Sequence, residues 1–262
     1  MVEVRKINVL ISTFGQRIAQ VDNVLQPEKE NVRYIICHQN FETLAPSKTL
    51  LERADVKYIP SSSIGVTKSR NILLKVADGD VIYFCDDDIT LSDDFDLKLI
   101  EYHSFYTDDV ILFNIKDEFG EFRKRYSTVT SNKNRFNILS VGTIEISLKN
   151  KAVTPLFPED IGAGTNLPIG DEAIFLSKLL DAGNSIRYVP YTIAMHPKES
   201  TGLAVTFNSI YSRGVTLRRV YGLILSLPLG LVFFTRRRSL FAVEGGAFKA
   251  GIVFLKGILR GK

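Results

Sequence analysis

The chain has 262 residues, 45% of them hydrophobic and 24% charged, and a formal net charge of +4. This length allows one large domain with an appendage, and the composition excludes a disordered or collagen-like chain. Residues 215–262 hold nine Lys/Arg against one acid, Glu244, a net +8, whereas residues 1–214 hold 24 bases and 28 acids, a net −4; this asymmetry argues against a nucleic-acid-binding body and for a tail that meets an anionic surface.

Residues 7–13 (Ile-Asn-Val-Leu-Ile-Ser-Thr) read as a first strand, with no signal peptide ahead of it. The strand runs into Phe14-Gly15-Gln16-Arg17 and a helix to about Leu25. A second strand at 33–37 ends at His38-Gln39-Asn40, followed by a helix at 46–54 and a short strand at 56–59. Residues 61–71 open a helix through Ala77, with Val66, Ile72, Leu73, Val76 and Ala77 at helical spacing. Its Ser- and Gly-containing start, with Lys68 and Arg70, offers N–H groups and positive charge to a phosphate or ribose. The same residues also read as a plain helix cap with two solvated bases.

The next apolar run, 81–85, is bounded by Asp78-Gly79-Asp80 and reads as a buried strand of a parallel sheet. It ends in Asp86-Asp87-Asp88. On an extended backbone Asp86 and Asp88 point one way and Asp87 the other. Asp86 and Asp88 are therefore the natural pair of hard oxygen ligands for Mg²⁺ or Mn²⁺. The plainer reading is a strand end running into an acidic turn. This alternation of strands and helices predicts a right-handed, mostly parallel sheet with helices on both faces, and ligands beyond the carboxyl ends of its strands. No Gly-x-Gly-x-x-Gly follows the first strand, which disfavours a dinucleotide site. Cys37 and Cys85 both fall in predicted interior strands and read as buried, reduced thiols of a cytosolic protein.

Residues 91–106 predict a helix capped by Ser92 or Asp93, and 110–114 a strand. The polar stretch 117–137 predicts an irregular loop over the site, 141–148 a strand, and the Gly- and Pro-rich 157–168 a substrate-facing loop. Gly170-Asp171-Glu172 then starts a helix through Ala182, a place where the helix dipole alone favours acids. Residues 185–189 read as a last strand, with Met195-His196-Pro197 soon after.

In the tail, 220–235 is uncharged, contains Pro228 and is shorter than the ~20 residues a bilayer span needs. Arg218-Arg219 precede it and Arg236-Arg237-Arg238 follow it, so charge gives no orientation across a membrane. With a second apolar segment at 248–259, this predicts a re-entrant or surface-lying hairpin on the cytoplasmic face of the membrane. The alternative is a soluble helix pair packed on the domain. The expected division is 1–212 for the catalytic domain and 213–262 for the tail.

Taken together, Ile11-Ser12-Thr13-Phe14, the Gly65-Val66-x-Lys68-Ser69-Arg70-Asn71 helix start, the Asp86-Asp87-Asp88 strand end and Gly170-Asp171-Glu172 resemble family 2 glycosyltransferases of the GT-A fold, over about residues 5–200. The tail resembles those of bacterial surface-polysaccharide members. The resemblance implies a Rossmann-like sheet flanked by helices, a nucleotide-diphosphate sugar donor, most often UDP-linked, and a divalent metal, Mn²⁺ or Mg²⁺. It implies a donor site of Thr13, Phe14, Arg17, Gln39 or Asn40, Gly65, Lys68, Arg70, Asn71, Asp86 and Asp87. It implies metal ligation by Asp88 and Asp86, with His196, which otherwise reads as structural. The family's Glu-Asp pair maps in reversed order onto Asp171-Glu172, with Glu172 as the catalytic base by alignment and Asp171 as the alternative.

The chemistry required agrees with that resemblance. A leaving nucleotide diphosphate gains negative charge, which a divalent cation stabilises. The acceptor hydroxyl gives its proton to a carboxylate. Single displacement then inverts the anomeric centre. The implied acceptor is a glycan or lipid-linked hydroxyl in capsule, O-antigen or exopolysaccharide assembly, with the membrane surface as partner through the tail and no nucleic acid. Two other readings stand beside this one: a haloacid-dehalogenase-type phosphatase using Asp86-x-Asp88-x-Thr90, and a degenerate member that binds nucleotide-sugar without turnover.

Overall fold

The structure, a computed structural model, describes residues 6–151, 154–198, 205–243 and 246–261, so Glu244 lies outside the described residues. In chain order the main elements are Ile7–Phe14 (β1), Ile18–Val21 (α1), Val32–Gln39 (β2), Lys48–Glu52 (α2), Val56–Ser61 (β3), Val66–Val76 (α3), Val81–Asp86 (β4), Thr90–Leu91 (β5), Phe95–Phe105 (α4), Val110–Lys116 (β6), Ser131–Lys133 (β7), Ile146–Lys149 (β8), Asp171–Asp181 (α5), Ile186–Met195 (β9), Phe207–Arg236 (α6) and Gly246–Arg260 (α7). They form one sheet in the order β3-β2-β1-β4-β8-β6-β9-β5, with β7 also paired to β9.

The first four strands are parallel throughout, as expected. Beyond β4 the sheet is mixed: β8 runs antiparallel to both β4 and β6, and β6 pairs parallel with β9. Strand residues alternate between two apolar layers. Val81, Tyr83 and Cys85 face one side with Ile7, Val9 and Ile11, where Phe95 and Leu99 of α4 cover them. Ile82 and Phe84 face the other side with Leu10, covered by Leu73 of α3 and by Phe175, Leu176 and Leu179 of α5. Burial on both faces explains why these strands read as continuous apolar runs. Cys37 and Cys85 are buried free thiols.

Tertiary pairing moved several element boundaries. The α4 helix begins only at Phe95, because Thr90 and Leu91 extend to pair with Met195 and Ala194 of β9. Only 146–149 of the expected 141–148 strand is extended, since Thr143–Glu145 is a 3-10 turn. The last strand does not stop at Val189. It passes through the exposed Pro190, where the register against β6 shifts, and an irregularity of this kind is where a residue without an N–H is tolerated.

The α5 helix has a second apolar side. Ala173 and Ile174 pack with Ile161 against Ile210 and Leu217 of α6 and Phe254 and Ile258 of α7. The α6 and α7 helices cross at glycines: a Cβ on Gly214 would lie 2.2 Å from the Phe254 carbonyl, and one on Gly257 2.3 Å from that of Tyr211.

His103 of α4 is buried and its Nε2 lies 2.7 Å from Ser147 Oγ, which itself donates to the Ile111 carbonyl. The imidazole therefore donates from Nε2, and its Nδ1 is buried without a partner. Burial, with Lys149 adding to it, pushes His103 down to about 3. The unfolded chain takes up this proton near 6.5 and the folded one does not, so the contribution to stability is whole above 6.5 and is lost as pH falls toward 3. Between pH 6.5 and 5, urea unfolding should show the wild type losing about 1–2 kcal/mol more than His103→Gln. Equal losses in both would exclude this role.

Candidate active site

The site forms at one edge because β1, β2 and β4 are in register. Phe14 pairs with Gln39, and Ser12 with Asp86, so three strands deliver their carboxyl ends together. The β4 strand ends at Asp86, and Asp87 and Asp88 lie in the turn beyond it. The alternation expected for the three acids therefore stops at the first: Asp87 and Asp88 share Arg17, and Asp86 faces Arg70.

Asp87 turns inward and is buried. Thr13 Oγ1 donates to it at 2.7 Å, and Arg17 Nε lies 3.0 Å from each of its oxygens. Arg17 Nη2 also contacts Asp87 and reaches Asp88 Oδ2 at 2.8 Å. These bonds, Asp87 first, raise the Arg17 guanidinium further above its ordinary value. Thr13, Arg17 and Asp87, all expected to face the donor, are thus bonded to one another, although half of the Arg17 side chain remains exposed.

Asp88 uses one oxygen for Arg17. The other, Oδ1, is buried without a hydrogen bond and lies 3.3 Å from His196 Nε2. His196 Nδ1 sits 2.8 Å from the Pro197 carbonyl, which can only accept, so the proton belongs on Nδ1. In the neutral ring the Nε2 lone pair then faces a carboxylate oxygen. That arrangement calls for a cation between them, either a proton or a metal ion.

Arg70 of α3 is buried and organises the opposite wall. Its Nη1 lies 2.6 Å from Asp171 Oδ2 and 3.9 Å from Glu172 Oε1, and its Nη2 is 3.8 Å from Asp86 Oδ1. Burial, then the Glu172 carboxylate, push Asp171 above the usual carboxyl range, with Arg70 opposing. Asp86 is also raised, by burial first, against the pull of Arg70. Glu172 keeps 24% of its side chain exposed and accepts a bond from Thr143 Oγ1 at 2.8 Å. Gly170 precedes the pair at φ +107°, and a Cβ there would lie 1.9 Å from Thr216 Oγ1 of α6, so only glycine fits.

The other expected donor residues are placed unevenly. Phe14 is 44% exposed at the end of β1. Gln39 is buried and donates to Ser63 Oγ at 2.9 Å. Gly65 caps α3 at φ +117°, and Lys68 has no ion pair among the described residues. Asn71 turns away from the edge: its side chain holds the 157–159 loop through the Phe157 carbonyl, Glu159 Oε1 and the Phe157 amide. Asp86 lies 3.8 Å from Arg70 and close enough to Asp88 and His196 to feel their charges, and among the described residues no three His, Cys, Asp or Glu side chains are grouped so that they could hold a metal unaided. The loop 117–137 contains β7 and a turn of 3-10 helix at Arg135–Asn137.

Two contributors gave no sequence signal. Thr143 is a lone hydroxyl in a segment that read as strand. His38, at the end of β2, bonds Tyr58 Oη at 2.9 Å and the Gly15 carbonyl at 2.8 Å, and burial lowers its basicity.

An α/β sheet covered by helices on both faces, with acids at the shared strand edge and a second acid pair opening a helix, defines the GT-A class of transferase folds. A family model described as Glycosyl transferase family 2 matches residues 18–153, just over half of the chain, and the chain belongs to that family. The match includes Arg70 and Asp86–Asp88 and ends before Asp171, Glu172 and His196. In structure the chain is similar to residues 1–349 of TarS from S. aureus, with a TM-score of 0.66 and 14% identity over 97% of this chain and 81% of that one. It is also similar to the same protein in complex with UDP-GlcNAc, with a TM-score of 0.62 and 14% identity over the same shares. For the longer TarS chain the TM-score is 0.61 at 15% identity, over 93% of this chain and 46% of that one. At such identities the likeness shows a shared fold. No curated protein matches the chain.

The Thr13–Asp87–Arg17 cluster makes a stability prediction. Asp87→Ala leaves a buried hydroxyl without its acceptor and releases a half-exposed guanidinium, which should cost about 1–3 kcal/mol in urea unfolding. An unchanged midpoint would show that the cluster contributes nothing to folding.

Proposed function

We propose that this glycosyltransferase moves a sugar from a nucleotide-diphosphate donor, with UDP as the nucleotide, to a hydroxyl of a glycan or lipid-linked acceptor with inversion at the anomeric carbon. The observation that carries the reading is the paired arrangement at the strand edge: an unsatisfied Asp88–His196 contact on one side, and Arg70 bracketed by Asp86, Asp171 and Glu172 on the other.

The donor's base lies against Phe14, with Gln39 behind it, and Asp86 accepts from the ribose. Lys68 faces the diphosphate. The orphaned Asp88 Oδ1 and the His196 Nε2 lone pair would hold a hard divalent cation, Mn²⁺ or Mg²⁺. When bound, this ion supplies Lewis-acid stabilisation of the departing diphosphate. Glu172 takes the proton of the attacking hydroxyl as general base. It is favoured over Asp171 because it is partly exposed, hydrogen-bonded by Thr143 and no nearer than 3.9 Å to Arg70, whereas Asp171 is buried and 2.6 Å from Arg70. Asp171 then acts by fixing Arg70. One base suffices for single displacement, which gives inversion.

The family and the tail together support an acceptor in bacterial surface polysaccharide, namely capsule, O-antigen or exopolysaccharide. Nucleotide sugars are cytoplasmic metabolites, which assigns the reaction to the cytoplasmic face of the membrane. Membership in the family removes the phosphatase reading.

Titrating UDP by calorimetry with and without Mn²⁺ tests the donor side. Metal-dependent binding should be lost in Asp88→Asn and weakened about 10–100-fold in His196→Ala. Binding that ignores the metal, or survives Asp88→Asn, would remove the proposed ligands. On the acceptor side, Glu172→Gln should lower turnover about 10²–10⁴-fold with UDP affinity retained. Donor binding without turnover in the wild type, for every acceptor offered, would leave a binding protein.

A further inference from the structure

The α6 helix is two helices in one. Up to Tyr221 it belongs to the protein body: Ser212 Oγ donates to the Ile169 carbonyl at 2.6 Å, and Ile210, Leu217 and Val220 are buried. At Gly222 the backbone leaves helical geometry, with φ 73° and ψ 176°, and the helix resumes in a new direction. From there to Arg236 only Ser226 and Gly230 are buried. Ile224, Leu227 and Leu231 form an exposed stripe, Ile224 at 84%. On α7, Phe248, Ile252 and Leu255 form a second exposed stripe, Phe248 also at 84%. Between Phe234 and the α7 stripe lies an open groove of about 300 Å³ lined only by apolar residues and glycine.

Among the described residues the charge around this surface has one sign. Arg236, Arg237 and Arg238 close α6, and Lys249, Lys256 and Arg260 lie on α7, all exposed. None has an ion pair among the described residues, and neither helix contains an acid. Isolated exposed apolar residues are ordinary, but contiguous stripes with a basic rim mark an interaction surface. A protein partner on this rim would itself have to supply a matching row of acids, whereas apolar stripes under unpaired Lys and Arg match the acyl region and headgroups of an anionic leaflet.

Length decides how the hairpin sits. The whole of α6, at 30 residues, is long and apolar enough to cross a bilayer. The bend leaves only residues 223–235, with Pro228 inside, as an uncharged helical segment of at most about 20 Å at 1.5 Å per residue, against a hydrocarbon core of about 30 Å. The α7 helix, with three bases along its 15 residues, cannot cross either. We infer that the 223–260 hairpin is a monotopic docking surface that lies in the plane of one leaflet of anionic lipid, with the apolar stripes of α6 and α7 inserted and the six basic side chains at headgroup level. The inference rests on this surface alone and stands or falls independently of the donor chemistry.

The chain contains no Trp, so one can be introduced as a sole reporter. Full-length Phe248→Trp and, separately, Ile224→Trp would be mixed with vesicles of phosphatidylcholine, with or without phosphatidylglycerol. Expected are a blue shift with the anionic vesicles, quenching strongest from lipids brominated near the headgroup end of the chain, and about tenfold or greater loss of partitioning when Arg236, Arg237 and Arg238 are all changed to Glu. Strongest quenching from bromines at the chain terminus would mean a span and overturn the proposal. So would no shift in either reporter, equal binding to both vesicle types, or a stable dimer in solution that shields both reporters and ignores vesicles.

Discussion

A buried guanidinium requires negative charge around it, and Arg70 meets that requirement by drawing three carboxylates from two distant parts of the chain. Asp86 comes from the end of β4, and Asp171 and Glu172 from the start of α5. Without the arginine these acids would repel one another in a poorly solvated space. With it, the strand edge and α5 are locked to α3, whose own placement is secured by Leu73 in the core and by the bond from the Val66 amide to the Ala163 carbonyl. Phe157 packs beneath the guanidinium and stacks on Phe175 of α5, so the charge cluster sits directly on an aromatic floor.

Two arginines divide the acids of the edge between structure and chemistry. Arg17 and Thr13 take Asp87 and one oxygen of Asp88, and Arg70 takes Asp171 and faces Asp86. What is left over is small and specific: one oxygen of Asp88, one nitrogen of His196, and the partly exposed Glu172. A run of three acids is tolerated here because Arg17 bridges Asp87 and Asp88 while Asp86 faces Arg70, so the negative charge is spread over two cationic clamps and one open position.

Much of this was legible from residue pattern alone. The parallel half of the sheet follows from apolar runs at β1, β2 and β4 broken by turn residues, and the acid-bearing edge follows from where those runs end. Within the edge, period-two alternation misled, because a strand rule was extended past Asp86 into a turn. Asn71 looked like part of a donor-binding helix start. Its role as a brace for the 157–159 loop depends on a contact across 86 residues of sequence, which no local pattern reports. Thr143 and the length of β9 were hidden for the same reason: the first is defined by its distance to Glu172, and the second by a bulge that admits Pro190. The mixed half of the sheet is set by long-range pairing and left little periodic trace.

The contact between Gly170 and Thr216 has a consequence for how such sequences can diverge. The α5 helix begins where α6 presses on it, with no room for a β-carbon between them. In any relative that keeps this crossing, positions 170 and 216 are tied: a side chain at the first demands a smaller residue at the second, or a shift of α6 away from the acid pair. The two positions lie in what looks like separate parts of the chain, a catalytic turn and an apolar tail. They should nevertheless vary as one unit, so the start of α6 inherits the constraint of the acid pair, and the helix beyond the Gly222 bend is released from it.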